Sequence, residues 1–210
     1  SVTVQTQPAG QTCTVTNGFG VASADVTNVA VLCGAAGAFV LRPLPAVYTT
    51  GKAVNFSVYR AGGPNVGEIP SDADVLEDLG LVNDAGYNLL RTFGADAVTE
   101  KILRLAAANY PDLKFHMGIF IFGIPVGASC GSNPGNTDQI NTGIRLASQY
   151  PNVVTVSVGN ETSFFRTFMP VNCLEGYIQT VRNQVTQPVT ADDDYTFYVL
   201  PESDPILRTI

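Results

Sequence analysis

From Ala53 onward the chain alternates short apolar runs with amphipathic helical patterns, and this alternation limits its fold more than any other feature. Residues 54–59 (VNFSVY), 87–93 (YNLLRTF), 113–122 (LKFHMGIFIF), 153–158 (VVTVSV) and 187–191 (QPVTA) read as strands. Four helical patterns lie between or after them, at residues 71–83, 96–109, 137–149 and 174–185. The first opens with Ser71 as N-cap and Asp74 three residues later, and puts Val75, Leu76, Leu79 and Val82 on one face. Val98, Ile102, Leu105 and Ala106 line the second, Ile140, Ile144 and Leu146 the third, and Ile178, Val181 and Val185 the fourth. Strands that alternate with helices pair in parallel through right-handed crossovers, so the fold class is α/β.

Two such architectures compete, an open doubly wound sheet and a (β/α)8 barrel of the TIM type. No Gly-x-Gly-x-x-Gly follows any strand, which weighs against a nucleotide-binding sheet. The strand starts lie about 33 residues apart, so eight units need roughly 265 residues, close to the size of a (β/α)8 barrel. The stretch from Ala53 to Ile210 holds only about five units, so the barrel is expected to be incomplete in this chain.

Residues 1–34 have no helical period. Residues 2–6 alternate, residues 13–16 and 26–33 are β-rich, and Asn17-Gly18 is a turn dipeptide. This segment reads as the C-terminal strands of a small β-sandwich module, and is too short for the seven strands such a module uses. Residues 35–52, rich in Gly, Ala and Pro, read as a linker, and 53–210 as the N-terminal part of the barrel. Ser1 is not an initiator Met and follows no leader, so the chain reads as a processed or trimmed product.

Composition narrows the function. Eighteen acidic against 11 basic residues give a net charge of −7, and without a basic run a nucleic-acid partner is excluded. Hydrophobic residues at 45 % supply a core, but no run reaches the roughly 18 apolar residues a membrane helix needs. The four cysteines, Cys13, Cys33, Cys130 and Cys173, form no Cys-x-x-Cys, and one His cannot complete a zinc set with them. An even number in a chain of low charge fits an oxidising compartment, hence a secreted protein, extracellular or periplasmic. Three pairings are open; Cys13–Cys33 with Cys130–Cys173 is favoured because each bridge then closes within one region.

The residues that best fit a chemical role sit at strand ends. In parallel β/α folds these carboxyl ends are where substrates meet protein groups. The run VSVGNE, residues 156–161, drives an apolar strand straight into Asn160-Glu161. A Glu backed by apolar residues suits a general acid, and a neighbouring Asn suits a hydroxyl donor or acceptor. Arg91 ends a strand between apolar neighbours and needs a carboxylate partner, catalytic or structural. Tyr59 and Arg60 end the first strand, where a ring stacks on a sugar and a guanidinium binds a hydroxyl. Asp192 and Asp193 end the fifth. The chain has no Trp, so any aromatic platform falls to Tyr59, Phe164, Phe165, Phe168 or Tyr195. His116 lies within a strand and reads as a satisfied barrel residue.

Together, residues 54–60, 70–83, 87–93, 156–161 and 187–195 resemble, in order, the first strand, first helix, second, fourth and fifth strands of glycoside hydrolase family 17. That family acts on β-1,3-glucans and includes bacterial glucan transglycosylases. The resemblance implies a retaining mechanism with Glu161 as acid/base and Arg91 facing the sugar site. It puts the nucleophile, a Glu, on the seventh strand, beyond residue 210. No cofactor or metal is implied. The expected partner is a β-glucan oligosaccharide or polysaccharide, together with the remainder of the barrel. A different class of function, a non-catalytic glucan-binding or structural fragment, is the alternative. A Cys130–Cys173 bridge is expected to pin the loops beside Glu161.

Overall fold

The computed structural model describes all residues except 1, 3, 7, 10, 17–24, 28, 36–41, 126, 163–168 and 208. It divides into two compact units, Ser1–Leu41 and Arg42–Ile210.

In the first unit, β1 (Gln11–Thr16) pairs antiparallel with β2 (Ala30–Ala35). Cys13 and Cys33 face each other in this register and form a disulfide. The described residues among 2–6 form no strand, and Asn17-Gly18 lies outside the described residues.

The second unit contains α1 (Val47–Thr50), β3 (Ala53–Asn55), α2 (Asp72–Asp84), β4 (Leu89–Arg91), α3 (Ala97–Asn109), β5 (Lys114–Ile119) and α4 (Pro134–Gln149). Then follow β6 (Val153–Asn160), α5 (Val171–Arg182), β7 (Val189–Asp192), α6 (Tyr195–Tyr198) and α7 (Asp204–Leu207). The five strands β3 to β7 form one parallel sheet in sequential order. A doubly wound sheet reverses its strand order at a switch point, whereas a barrel adds strands in sequence. The order is that of a partial TIM-like fold, and the sheet is open.

Helices α2 to α5 cover one face of this sheet. Leu90, Phe115, Met117, Val156 and Val158 are buried there against Val75 and Leu79 of α2, Ile102 and Leu103 of α3, Ile140 and Leu146 of α4, and Ile178 and Val181 of α5. Burying each such side chain contributes about 2 kcal/mol. Gly143 lets α4 approach closely, since a Cβ there would come within 2.4 Å of Ile119 Cδ1.

Capping chemistry sets the helix starts. Ser71 and Asp74 make a full capping box on α2, and Asp96 caps α3 through the Thr99 N–H. The helix expected to open at residue 137 opens at Pro134, with Asn133 as its cap. The first strand is shorter than its apolar run. It ends at Asn55, although Phe56 and Val58 remain buried.

Residues 42–52, expected in a linker, pack with the larger unit. Arg42 donates to the carbonyls of Gln187 at 2.7 Å and Arg182 at 2.8 Å, satisfying a carbonyl in the last turn of α5. The helix α1 then brings Tyr48 to His116. The chain beyond β7 turns through α6 and α7, which periodicity did not signal because each is only four residues long. Among the described residues no helix is long and apolar enough to cross a membrane.

Candidate active site

The face of the sheet opposite α2 to α5 carries a line of polar side chains. Strand register puts Arg91 beside His116, His116 beside Thr155, Gly118 beside Ser157, and Asn160 beside Asp192. Ser157 and Asn160 are three residues apart, so simple alternation would send them to opposite faces. The β6–β7 register shifts between Ser157 and Asn160, and Gly159 sits at φ 87°, within the left-handed region. That irregularity brings Asn160 into line with Asp192. A Cβ at Gly159 would meet Thr162 Oγ1 at 2.4 Å, so glycine serves both the turn and the close approach.

Arg91 joins the strand ends. Its Nε donates to Asp192 Oδ2 at 2.8 Å and its Nη2 to Asn160 Oδ1 at 2.7 Å, with the guanidinium 4.7 Å from the Phe93 ring centroid. Only a planar fork bonds two acceptors on two strands in this way. The bond commits Asn160 Oδ1 as an acceptor, so Nδ2 is the group left to donate.

Behind Asp192 lies His116, whose Nε2 is 3.4 Å from Asp192 Oδ2 and whose Nδ1 is 2.7 Å from Tyr48 Oη. Burial alone would push the Asp192 carboxyl up. The His116 ring and the Arg91 guanidinium outweigh it and bring the carboxyl down to about 2. Burial also pushes the Tyr48 hydroxyl up, keeping it a neutral hydrogen-bonding group.

Glu161 follows directly. Its backbone N–H donates to the Asp192 carbonyl at 2.7 Å, and it adopts φ 50°, the left-handed region that non-glycine residues seldom occupy. Such strain persists where surrounding structure imposes it, and it concentrates at functional sites.

The loops around these strand ends are tied down from α4 and α5. Gln139 Oε1 accepts from the N–H groups of Ala95 at 2.8 Å and Phe120 at 3.1 Å, and Asn136 bonds both N–H and C=O of Phe122. Cys130, in the loop after β5, is bridged to Cys173 in the first turn of α5, and Tyr177 donates to the Cys130 carbonyl. The bridge links the loop after β5 to the start of α5, as the favoured pairing required.

The other expected site residues make different contacts. The Arg60 guanidinium bonds Asp74, Glu77 and Asp78 on α2 and does not join Arg91. Its backbone N–H, with those of Gly63 and Ala61, holds the Glu68 carboxyl below its ordinary value and organises the loop after β3. Tyr59 is half-buried and packs against the core. Asp193 is half-buried and accepts from the Asp194 N–H. Tyr195 on α6 is 77 % exposed, while Phe164, Phe165 and Phe168 lie outside the described residues. Tyr48 had no site signal in the sequence, because it stands in the Pro- and Ala-rich stretch. Among the described residues no group of three or more His, Cys, Asp or Glu side chains is placed to hold a metal ion.

No family model matches the sequence. No curated protein matches it either. Solved structures do match. An active-site mutant of a Rhizomucor miehei beta-1,3-glucanosyltransferase in complex with laminaritriose superposes with a TM-score of 0.58 at 18 % identity, over 77 % of this chain and 55 % of that one. A glycosyl hydrolase family 2 member from Bacteroides cellulosilyticus does so with a TM-score of 0.50 at 16 % identity, over 76 % of this chain and 20 % of that one. The chain thus spans about half the length of the glucanosyltransferase, and what it shares with both at this identity is the fold.

Proposed function

We propose that the chain is part of a secreted, retaining β-1,3-glucan hydrolase or glucanosyltransferase acting on extracellular polysaccharide. The observation that carries this reading is Asn160-Glu161 at the carboxyl end of β6, with Asn160 held by Arg91 and Glu161 held in a left-handed conformation. The fold shared with a glucanosyltransferase supports it, as do two disulfides, which persist in oxidising compartments.

In this reading Glu161 protonates the glycosidic oxygen as the bond to the anomeric carbon breaks. A second carboxylate, about 5 to 5.5 Å away, attacks that carbon and forms a glycosyl-enzyme. Glu161 then takes a proton from water in hydrolysis, or from a glucan hydroxyl in transfer, as that oxygen displaces the enzyme carboxylate. Asn160 Nδ2 donates to the hydroxyl beside the reacting carbon. Arg91 orients Asn160, and Asp192 holds Arg91. The family resemblance puts the second carboxylate on a later strand. Asp192 is a poor substitute, since Arg91 already occupies one of its oxygens.

That engagement of Asp192 also favours a second reading, a non-catalytic glucan-binding fragment. Both are tested by Glu161→Gln in the complete gene product assayed on laminarin. Loss of turnover with glucan binding retained is expected. Near-normal turnover by the variant overturns the catalytic assignment, and glucan binding without turnover by the unaltered product establishes the second reading.

A further inference from the structure

A Tyr–His pair stands behind the line of Asp192, Arg91 and Asn160. Tyr48 Oη is 2.7 Å from His116 Nδ1, and His116 Nε2 faces Asp192 Oδ2 at 3.4 Å. Nε2 is buried and makes no shorter hydrogen bond among the described residues. An ionised carboxylate offers only lone pairs. A bare Nε2 turned toward it would set lone pair against lone pair in a poorly solvated place. The nitrogen facing Asp192 therefore carries the proton. In the neutral ring the opposite nitrogen, Nδ1, is then an acceptor, and the Tyr48 hydroxyl is its donor.

We propose that Tyr48 is a positioning residue for the candidate site: by donating to Nδ1 it fixes His116 as the Nε2–H tautomer, which presents a proton to Asp192. Asp192 so held aligns the Arg91 fork, and Arg91 in turn orients the Asn160 carboxamide. The other tautomer would turn a lone pair on Asp192 and leave Tyr48 facing an N–H, reversing both contacts. The line runs from α1, which precedes the first strand of the sheet, to the residue next to Glu161. Its consequence for turnover rests on the function proposed above, but the tautomer itself does not.

His116 is the only histidine of the chain, so ring nitrogens labelled with 15N report on it directly, and His116→Gln assigns the signals. The spectra are taken at roughly pH 8, above the ordinary titration range of His. The expected result is a protonated Nε2 and an Nδ1 shifted by an accepted hydrogen bond. Tyr48→Phe, which deletes one hydroxyl, moves Nδ1 toward the value of an unbonded acceptor and raises the Nδ1–H population. Replacing tyrosine throughout by 3-fluorotyrosine strengthens the phenol as a donor and moves Nδ1 in the opposite sense, so the test survives a Tyr48→Phe chain that fails to fold. A protonated Nδ1 in the unaltered chain overturns the proposal. So do ring shifts that change in neither Tyr48→Phe nor the fluorinated chain. In the complete gene product Tyr48→Phe lowers kcat more than it raises KM, and an unchanged kcat beside an altered ring refutes the positioning role. Because the ring shifts are read without substrate, failure of the glucan assay leaves them intact.

Discussion

Arg91 donates from Nε to Asp192 Oδ2 at 2.8 Å, joining the ends of β4 and β7 across 101 positions of sequence. The two side chains are 22 % and 23 % exposed, enough burial that removing one partner leaves the other poorly solvated. Arg91→Met is therefore expected to cost about 3 kcal/mol in chemical denaturation. Arg91→Lys costs less, because one ammonium keeps the charge but cannot reach both Asp192 and Asn160. Equal losses for the two variants would mean that the bridge to Asn160, and not the ion pair, supplies the stability.

The same pair sets a pH dependence. Asp192 lies at about 2 in the folded chain against an ordinary value of 3.8. The folded state binds this proton more weakly than the unfolded state does. The stabilisation is thus complete above the ordinary value and disappears as pH falls from about 4 to about 2. Asp192→Asn should be less stable by about 2 kcal/mol at neutral pH, with the gap closing across that window. Urea unfolding at several pH values measures it, and a gap that stays constant down to the acid end refutes the account.

Periodicity made the βα repeats legible, because α3 and α5 bury the apolar positions that their spacing nominates. It could not find Tyr48 or the ties from Arg42, which depend on contacts between residues far apart in sequence. At the candidate site, Asn160 and Arg91 were nominated separately as strand-end residues, and their bond joins them. The tie of Arg60 to α2 is likewise long-range: its guanidinium bonds Asp74 and, one turn further along the helix, Glu77 and Asp78, a pairing that strand and helix periodicity does not express. Neither the left-handed Glu161 nor the β6–β7 register shift leaves a mark in composition, since both follow from how two strands meet.

The capping box on α2 predicts a local loss. Ser71 Oγ accepts from the Asp74 N–H at 3.1 Å, while Asp74 Oδ2 accepts from the Ser71 N–H at 3.2 Å. Ser71→Ala removes the first bond, together with the one the Ser71 hydroxyl donates to Asp74 Oδ2 at 2.7 Å, and should cost about 1 kcal/mol. Ser71→Thr retains a hydroxyl that can both accept and donate at the cap and should cost less. Thermal melting of the two variants separates these outcomes.

The Cys130–Cys173 bridge closes a loop with a sequence separation of 43. Loop-closure entropy assigns such a crosslink about 4 kcal/mol, exerted mainly on the unfolded chain. Replacing both cysteines by Ser should lower the denaturation midpoint accordingly. It should also speed proteolysis in the loop after β5, which then keeps the Tyr177 bond to the carbonyl of residue 130 as its tie to α5 among the described residues. A midpoint unchanged by the double replacement would show that packing, not the bridge, holds these loops.

Glu161 allows strain and chemistry to be separated. At φ 50° its side chain costs roughly 1 kcal/mol that a glycine would not. Glu161→Gly and Glu161→Ala both delete the carboxyl and its contacts, so the difference between them isolates the backbone. Glu161→Gly is expected to be the more stable of the two by about 1 kcal/mol, less the extra freedom glycine has when unfolded. Both should lose glucan turnover in the complete gene product. A Gly variant no more stable than the Ala variant would mean that the strain does not exceed the conformational freedom that glycine loses on folding. A Gly variant that keeps turnover would remove Glu161 from the chemistry.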